Sequence, residues 1–435
     1  MLNMDRKLQK HAEANGAIRT GVVGAGQMGR GLITQLVRMQ GLTPSIVSAR
    51  NVENAVNALV SAGIDRTDIT IANTLSQANE AMERGKFVAT NNLDALTKAN
   101  LLDCVIDATG IPDVGAKVAY ESLMNRKHVV MLNVETDVVL APYLKRLAER
   151  EGVIYTGSAG DEPGAVMELY TFAKAIGLDV KVIGKGKNNK LAYDCTPESV
   201  LEEANRRIMS PKMLCAFKDG TKTMVELTAM SNATGMIPDV IGAHGIESDV
   251  VGLNKKFKLK KDGGILNRHG VVEFVNGIAP GVFATVATDN DEVRYQMDYL
   301  LMGSGPLWTL YRPYHLGSLE TPLSAAKAVI DQEATIVPID GLVSECITVA
   351  KRDLVAGETI DGHGGFTTYA SIAPIEVSDQ NRYVPYGLVT DTTKMKRSVK
   401  KGALLTLDDV ELDQSTLIYK LRREQDALYG RQILD

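Results

Sequence analysis

A glycine turn near the start of the chain restricts the fold more than any other feature of the sequence. The apolar run Ile18–Val23 leads directly into GAGQMG at residues 24–29, which has the spacing G-x-G-x-x-G. A helical pattern follows over residues 30–40, and a second apolar run covers residues 45–48. These segments predict one strand–helix–strand unit with the glycines at the mouth of its helix.

Each glycine of this turn has a physical role in holding a dinucleotide. Gly24 permits the tight turn, Gly26 lets a pyrophosphate approach the backbone, and Gly29 lets helix and strand pack closely. The N–H groups and the dipole at the helix start favour an anion there. We therefore predict a dinucleotide site; the alternative is a purely structural glycine turn.

The alternation of strands and helices continues through the first third of the chain and predicts the fold class. Further strands are predicted at residues 104–108, 128–133 and 153–155, with helices at 113–125 and 141–151. This pattern is typical of an α/β fold with a Rossmann-type doubly wound parallel sheet. We predict three domains: a nucleotide-binding domain at 1–156, an α+β catalytic and oligomerisation domain at 157–337, and a small β-rich domain at 338–435. A helix near 319–332 is expected to pack back on the first domain.

Composition excludes several classes of protein. The 435 residues include 48 Lys and Arg against 53 Asp and Glu, a net charge of −5, which argues against a nucleic-acid coat or an anionic-membrane binder. The four cysteines form no CxxC and no zinc-site spacing. No run of apolar residues approaches the length of a membrane span or a signal peptide. We expect a reduced, cytoplasmic chain without nucleic-acid or membrane partners.

The end of the second strand distinguishes the two nicotinamide dinucleotides. Arg50 follows this strand, and the first acid after it is Glu53. An acid at the strand end would bind the ribose 2′-hydroxyl, whereas a guanidinium suits a 2′-phosphate. We therefore predict NADPH, the alternative being an arginine that merely faces solvent. The predicted cofactor contacts are Gly24, Ala25, Gly26, Gln27, Met28, Gly29, Arg50, Ala108, Thr109, Gly110 and Asn133.

A basic segment in the middle of the chain suggests an anionic substrate. Residues 181–222 contain nine basic and five acidic side chains within an acidic protein. Their most basic part, GKGKNNK at residues 184–190, combines glycines, ammonium groups and amides in a way that suits a phosphate. A solvated lysine-rich turn is the alternative. The predicted substrate contacts here are Lys185, Lys187, Asn188, Asn189 and Lys190.

Several further side chains are candidates for proton transfer or metal binding. Asp219 and Lys222 lie three residues apart at a predicted helix start, so they can act as an acid–base pair, or Asp219 can be an N-cap. His244 and His315 lie beside turn residues and are candidates for proton transfer or substrate contact. The adjacent carboxylates of Asp161 and Glu162 could hold a divalent cation (Mg2+ or Mn2+), with helix capping as the alternative.

The motifs GVVGAGQMG, CVIDATG and HVVMLN, followed by the Asp219/Lys222 pair, resemble homoserine dehydrogenase and its relatives over about three quarters of the chain. In that family the equivalents of Asp219 and Lys222 lie near the transferred hydrogen. The family's Ala-Asn-Lys after the HVVMLN-type strand is replaced here by Asn133-Val134-Glu135, so its catalytic lysine is missing.

A second resemblance covers nearly the whole chain. The C-terminal segments ITVAKRDLVAGETI and KKGALLTLDDVELD resemble a SAF-type domain. Together with SAGDEPGAVMELY, GKGKNNK and RPYHLGSLETP, they look like the 1-deoxy-D-xylulose 5-phosphate reductoisomerase-like family. That resemblance implies metal-assisted, NADPH-dependent conversion of deoxyxylulose phosphate, a small phosphorylated sugar, to 2-C-methyl-D-erythritol 4-phosphate in isoprenoid biosynthesis, by a homodimer. It adds Lys212 to the catalytic candidates and Arg312 to the substrate contacts.

Two other functions remain open from the sequence. One is a homoserine dehydrogenase-like, NADPH-dependent reductase of another small aldehyde. The other is a non-catalytic NADPH-binding sensor, in which the C-terminal domain binds a partner. The number of polar side chains between Asp161 and Lys222 favours an enzyme over the sensor.

Overall fold

The computed structural model describes residues 3–434. The strands, in chain order, are β1 Ile18–Val23, β2 Leu42–Ser48, β3 Ile69–Ile71, β4 Phe87–Thr90, β5 Cys104–Asp107, β6 His128–Met131, β7 Tyr155–Gly157, β8 Asp179–Lys187, β9 Ile246–Glu247, β10 Val271–Asn276, β11 Val282–Ala287, β12 Trp308–Arg312, β13 Ser344–Ala350, β14 Thr368–Pro374, β15 Lys394–Met395 and β16 Val410–Glu411. The helices are α1 Met4–Asn15, α2 Gln27–Arg38, α3 Val52–Ser61, α4 Leu75–Glu83, α5 Leu93–Thr97, α6 Pro112–Met124, α7 Val134–Glu151, α8 Glu162–Ala175, α9 Leu201–Arg206, α10 Pro211–Lys218, α11 Thr221–Thr234, α12 Val250–Lys256, α13 Asp291–Tyr299, α14 Gly317–Ala326, α15 Ile375–Asn381 and α16 Leu417–Leu428.

The first part of the chain forms a seven-stranded, fully parallel sheet in the order β3-β4-β2-β1-β5-β6-β7. Helices cover both faces of this sheet, and its strands are almost wholly buried apolar segments. The predicted α/β class and the Rossmann-type doubly wound sheet are therefore confirmed. The strand order reverses between β1 and β5, which is where doubly wound sheets open a crevice at the carboxyl ends of their strands.

The predicted elements agree with this sheet, with differences at their ends. Strand β1 matches its prediction, whereas α7 begins at Val134 instead of Ala141. The side chain of Asn133 caps α7 by accepting from the Thr136 N–H at 3.3 Å, and Pro142 lies inside the helix. Strands β3 and β4 were not predicted, because the segments ITI and FVAT each contain a threonine and lie among polar residues, which leaves the apolar pattern too weak to separate from a loop.

The described residues form two compact units, and each unit consists of segments that are far apart in the sequence. Unit 1 comprises the described residues up to Gly164 together with Leu316–Val337 and Ser415–Gly430. Unit 2 comprises Ala165–His315, Pro338–Gln414 and the described residues from Arg431 onwards. Within unit 1, α14 packs against α2, and α16 packs against α6 and α7. The three-domain division at 156 and 337 stays a prediction.

Unit 2 is built on a mixed five-stranded sheet in the order β12-β11-β8-β10-β9. Its central strand β8 runs through residues that the sequence predicted as a phosphate-binding loop, with a solvated turn as the alternative. The glycines there serve close packing instead, because a Cβ on Gly184 would lie 1.8 Å from the Glu273 carbonyl oxygen and one on Gly186 would lie 2.5 Å from the Ala279 nitrogen. Residues 184–187 of the predicted loop are therefore a buried strand.

The remaining part of unit 2 is small and rich in β-structure. Strands β13 and β14 form an antiparallel pair that packs against α11, and β15 pairs with β16. The predicted β-rich C-terminal region and its final polar helix, α16, are both present, although α16 belongs to unit 1. Among residues 3–434, none of the helices combines the length and the apolar character that crossing a bilayer requires.

Candidate functional site

A cavity of about 590 Å³ opens in unit 1 at the carboxyl ends of β1 and β5. Its volume falls within the range that is usual for small-molecule and cofactor sites, roughly 300–1,000 Å³. It lies at the reversal of strand order, where doubly wound folds bind nucleotides. The lining residues are Gly24, Ala25, Gly26, Arg30, Ala49, Arg50, Asn51, Asn54, Asn57, Ala108, Thr109 and Ile111.

The three glycines of the turn meet different surroundings. Gly24 has a φ of +103°, and a Cβ there would lie 2.8 Å from the Ala108 carbonyl oxygen. A Cβ on Gly29 would lie 1.9 Å from the Gly24 carbonyl oxygen, so helix α2 and the turn pack backbone to backbone. A Cβ on Gly26, by contrast, would have no atom within 4 Å. Gly24 and Gly29 therefore serve packing, and Gly26 keeps the space in front of the α2 N-terminus open for a ligand.

The loop after β5 forms the other wall of the cavity and is held by buried side chains. The Asn133 amide donates to the Asp107 carboxylate at 2.9 Å, to the Thr109 hydroxyl at 3.2 Å and to the Ile111 carbonyl at 3.1 Å. The Thr109 N–H also donates to Asp107, at 3.0 Å. Burial raises the pKa of Asp107 to about 6, although the hydrogen bonds from Asn133 and Thr109 oppose the shift. The Asn133 side chain therefore fixes the loop through these three hydrogen bonds. Gly110 allows the loop to turn, with a φ of +66°.

Apart from Thr109, the polar side chains that line the cavity are arginines and asparagines. Arg50 follows β2, as the sequence predicted, and Arg30 on α2 joins it. Among the described lining residues none is acidic, so two guanidinium groups determine the charge of the cavity. Of the predicted cofactor contacts, Gln27, Met28, Gly29, Gly110 and Asn133 are outside the lining set.

Sequence reasoning missed part of the lining. Arg30, Ala49, Asn51, Asn54, Asn57 and Ile111 were not predicted. The three asparagines did carry a signal, because a spacing of three places residues on one face of a helix. Asn51 also caps α3, its side chain accepting from the Glu53 N–H at 3.1 Å.

Unit 2 contains a group of buried charges around the end of β8. Lys185 is ion-paired with Glu226 on α11, and both side chains are buried. Lys187 is also buried, and its ammonium donates to the Phe217 carbonyl at 2.8 Å. Burial, together with the neighbouring Lys185 charge, lowers the pKa of Lys187 to about 8. Two of the predicted substrate lysines are therefore buried and do not lie on a solvated turn.

Asp219 lies in the same buried region, between α10 and α11. Its carboxylate accepts from the Lys351 ammonium at 2.9 Å and from the Thr221 N–H at 2.9 Å. Lys351 also donates to the carbonyl oxygens of Cys195 at 3.0 Å and Gly365 at 2.7 Å. Burial alone would lower the pKa of Lys351, but the Asp219 carboxylate outweighs burial and raises it. The structure thus joins Asp219 to a lysine 132 positions away; its pairing with Lys222, which is half-buried at the start of α11, stays a prediction.

The other predicted substrate and catalytic residues of unit 2 differ in exposure and in their contacts. Asn188 and Lys190 are exposed after β8, Asn189 is half-buried there, and Lys212 is exposed at the start of α10. The Arg312 guanidinium donates to Glu168 at 3.2 Å and stacks over the Tyr314 ring at 4.6 Å, and His315 is half-buried just after β12.

His244 joins two carboxylates of unit 2. Its ring nitrogen lies 2.8 Å from the Asp239 carboxylate, and its backbone N–H donates to Glu273 at 2.9 Å. Burial raises the pKa of Glu273 to about 7.

The metal candidates Asp161 and Glu162 are both buried, and Glu162 is the first residue of α8. Their carboxylate oxygens lie within 4.8 Å of each other, a separation that a single ion can bridge. Two carboxylates supply fewer ligands than the six that Mg2+ requires, so the remaining positions would fall to water or substrate. A cation at this pair stays a prediction, and no step of the proposed reaction depends on it.

Comparison with protein families matches residues 160–321 to the model described as "Oxidoreductase DRL, catalytic domain", which is less than half of the chain. The comparisons support an oxidoreductase. Among solved structures, biliverdin reductase from Synechocystis sp. PCC 6803, in complex with biliverdin and NADP+, is 17% identical, with 40% of this chain and 49% of that chain covered and a TM-score of 0.26. This chain therefore spans about half the length of that reductase. Apo scyllo-inositol dehydrogenase from Lactobacillus casei is 11% identical, with 73% and 89% covered and a TM-score of 0.41. Comparison with the curated proteins gives no match.

These findings correct the family that the sequence suggested. The expected membership of the 1-deoxy-D-xylulose 5-phosphate reductoisomerase-like family is wrong, because the matching model describes oxidoreductase DRL. The reductoisomerase reaction inferred from that resemblance is wrong with it. The structure also weakens the expected phosphate site, because Lys185 lies in a buried strand and is ion-paired with Glu226.

Proposed function

We propose that this chain is an NADPH-dependent oxidoreductase that reduces a small carbonyl compound. The observation that carries the proposal is the cavity of unit 1, in which the α2 N-terminus and the open side of Gly26 lie beside two arginines. When bound there, the nicotinamide cofactor supplies a hydride. The match to an oxidoreductase catalytic domain favours this enzyme over a non-catalytic sensor.

The preference for NADPH over NADH rests on the charge of the cavity. Arg50 and Arg30 line it, and none of its described lining residues is acidic. A guanidinium binds a phosphate through charge-assisted hydrogen bonds, whereas the ribose hydroxyls of NADH are commonly held by an acid at this strand end. The 2′-phosphate of NADPH therefore gains contacts here that NADH lacks.

Replacing Arg50 with alanine should weaken NADPH binding and leave NADH binding nearly unchanged. A hydrogen bond to a charged group contributes about 1.5–3 kcal/mol, so the Kd for NADPH should rise roughly 10- to 100-fold. Titration calorimetry with both cofactors measures this difference directly.

The matched control is Arg38→Ala, which removes an exposed arginine at the end of α2, outside the cavity lining. This variant should bind both cofactors as the unmodified protein does. Equal weakening of NADPH and NADH by Arg50→Ala would contradict the proposed phosphate contact.

For the substrate side, we propose Lys187 as the proton donor to the carbonyl oxygen. Its ammonium is buried, and one hydrogen bond, to the Phe217 carbonyl, is described for its three N–H groups. A pKa of about 8 lets this group release a proton near neutral pH, which an ordinary lysine does not. It lies within the segment that matches the oxidoreductase catalytic domain.

This role predicts the pH dependence of turnover. Lys187 is protonated below its pKa of about 8, so carbonyl reduction should slow as the pH rises through that value. Alcohol oxidation, which needs the neutral amine as base, should instead speed up over the same interval. Lys187→Met should lower kcat by about 100-fold or more and remove this pH dependence.

Steady-state rates from pH 6 to 10 with saturating NADPH and a panel of small anionic and neutral aldehydes and ketones test this prediction. The matched control is Lys190→Met, which removes an exposed lysine three positions further along the chain. Retention of the pH dependence in Lys187→Met would show that another group moves the proton. NADPH binding without turnover of any carbonyl would favour the sensor instead.

A further inference from the structure

Two cysteines of unit 2 lie side by side, outside the residues assigned to the proposed reaction. The Sγ atoms of Cys195 and Cys215 are 3.3 Å apart, although the residues are 20 positions apart in the sequence. Cys215 belongs to α10, and Cys195 lies in the segment between β8 and α9. The other two cysteines, Cys104 in β5 and Cys346 in β13, are also free and buried.

We propose that Cys195 and Cys215 are a modification site at which a hydroperoxide converts the two thiols into a reversible disulfide. A disulfide bond is about 2.05 Å long, so the sulfur atoms need to approach by little more than an ångström. Small side-chain rotations can supply a movement of this size. Neither α9 nor α10 has to unfold for the bond to form.

The surroundings of the pair determine which sulfur reacts first. Cys195 retains 6% of its surface exposed, whereas Cys215 is fully buried. The hydrogen bond with Cys215 lowers the pKa of the Cys195 thiol, and the Lys351 ammonium nearby favours the same anion. Because the thiolate is the nucleophile, Cys195 is the attacking residue.

The reaction then proceeds in two balanced steps. The Cys195 thiolate attacks one oxygen of the peroxide; the O–O bond breaks, a sulfenic acid forms, and the leaving hydroxide takes up a proton to become water. The Cys215 sulfur next attacks the Cys195 sulfur, the S–O bond breaks, and the second oxygen leaves as water with the Cys215 proton. Two thiols lose two electrons, and one hydrogen peroxide is reduced to two waters.

A metal ion is the competing explanation for this cluster, because an Asp219 oxygen lies within 4.8 Å of both sulfurs. The position of the Lys351 ammonium argues against a bound metal ion. Its ammonium already donates to Asp219 at 2.9 Å and lies 3.5 Å from the Cys215 sulfur. A cation would have to displace a buried positive charge from its acceptors, whereas disulfide formation leaves that charge in place.

Peptide mapping of the full-length protein tests the proposal. The folded protein is treated with hydrogen peroxide, its remaining thiols are alkylated in denaturant, and tryptic peptides are analysed by mass spectrometry. We expect the number of alkylated thiols to fall from four to two, with a cross-link between peptides 191–206 and 213–218. Dithiothreitol should restore all four thiols.

Matched variants separate this pair from the other thiols. Cys104→Ser and Cys346→Ser should retain the cross-link, whereas Cys195→Ser and Cys215→Ser should lose it. The proposal is overturned if the folded wild-type protein keeps four alkylated thiols, or if Cys195 is oxidised to the sulfinic acid without a cross-link. It is equally overturned if the purified protein holds a stoichiometric metal ion that blocks the cross-link.

Discussion

Replacing Gly26 with valine should abolish NADPH binding without unfolding the protein. A Cβ at this position meets no atom within 4 Å, and the φ of −74° is one that valine adopts readily. The new side chain would instead occupy the space in front of the α2 N-terminus, where the cofactor phosphates are proposed to lie. We expect the Kd for NADPH to rise by about 100-fold or more, while the thermal unfolding midpoint changes little.

Replacing Gly29 of the same turn should lower the stability of the protein, whereas replacing Gly26 should lower its affinity for the cofactor. In Gly29→Ala the added Cβ would lie 1.9 Å from the Gly24 carbonyl oxygen, and neither backbone segment can move without disturbing the sheet. Overpacking typically costs about 1–3 kcal/mol, and more where the surroundings cannot move. The variant should therefore lose stability and soluble yield, with the loss of cofactor binding as a consequence.

The control for both glycine variants is Gly317→Ala at the start of α14. Its Cβ would lie 3.7 Å from the Met28 sulfur, an ordinary contact, so stability and NADPH affinity should both be retained. Calorimetric titration and thermal unfolding of the three variants give the comparison. If Gly26→Val bound NADPH normally, the cofactor would not occupy the space in front of Gly26.

Lys351→Met should cause a large loss of stability. Lys351 is 3% exposed and Asp219 is 0% exposed, so the substitution leaves a buried carboxylate without its cation and removes the ammonium donor from two carbonyl groups. Breaking a buried ion pair from one side costs about 3–5 kcal/mol. This corresponds to a fall of roughly 6–20 °C in Tm for a protein unit of this size.

The matched control removes a lysine from an exposed ion pair. Lys400 and Asp353 are 2.8 Å apart with side chains 88% and 58% exposed, so Lys400→Met should change the Tm little. In the Lys351→Met background, Asp219→Asn should recover part of the lost stability because it removes the stranded charge. Equal Tm values for Lys351→Met and Lys400→Met would contradict the account of Asp219 as a structural partner of Lys351.

The first unit shows how much of the fold the sequence could predict. Its longer strands and helices carry strong local patterns, and β1 was predicted to the residue. Strands β3 and β4 could not be found in the same way, because each is a short segment among polar residues and is recognisable as a strand through its pairing. The return of α14 and α16 to this unit depends on contacts between residues far apart in the chain.

The candidate site likewise contains features that the sequence could predict and features that it could not. Gly26 and Arg50 both line the cavity, and the sequence could single them out because a dinucleotide-binding motif specifies residue types at fixed distances along the chain. GKGKNNK was misread because a run of glycines and lysines looks alike in a solvated loop and in a strand that packs closely. Only the position of Glu226 shows that Lys185 has a buried partner.

The sequence by itself determined the nucleotide-binding fold, since glycine spacing and apolar periodicity are local properties that the backbone and the hydrophobic effect translate directly into strand, turn and helix. The tertiary structure decided which charges face solvent and which are paired inside. The partners of Asp219 and Cys195 are Lys351 and Cys215, 132 and 20 positions further along the chain. The protonation and reactivity of such groups depend on burial and on neighbouring charges, and these are set when distant segments pack together.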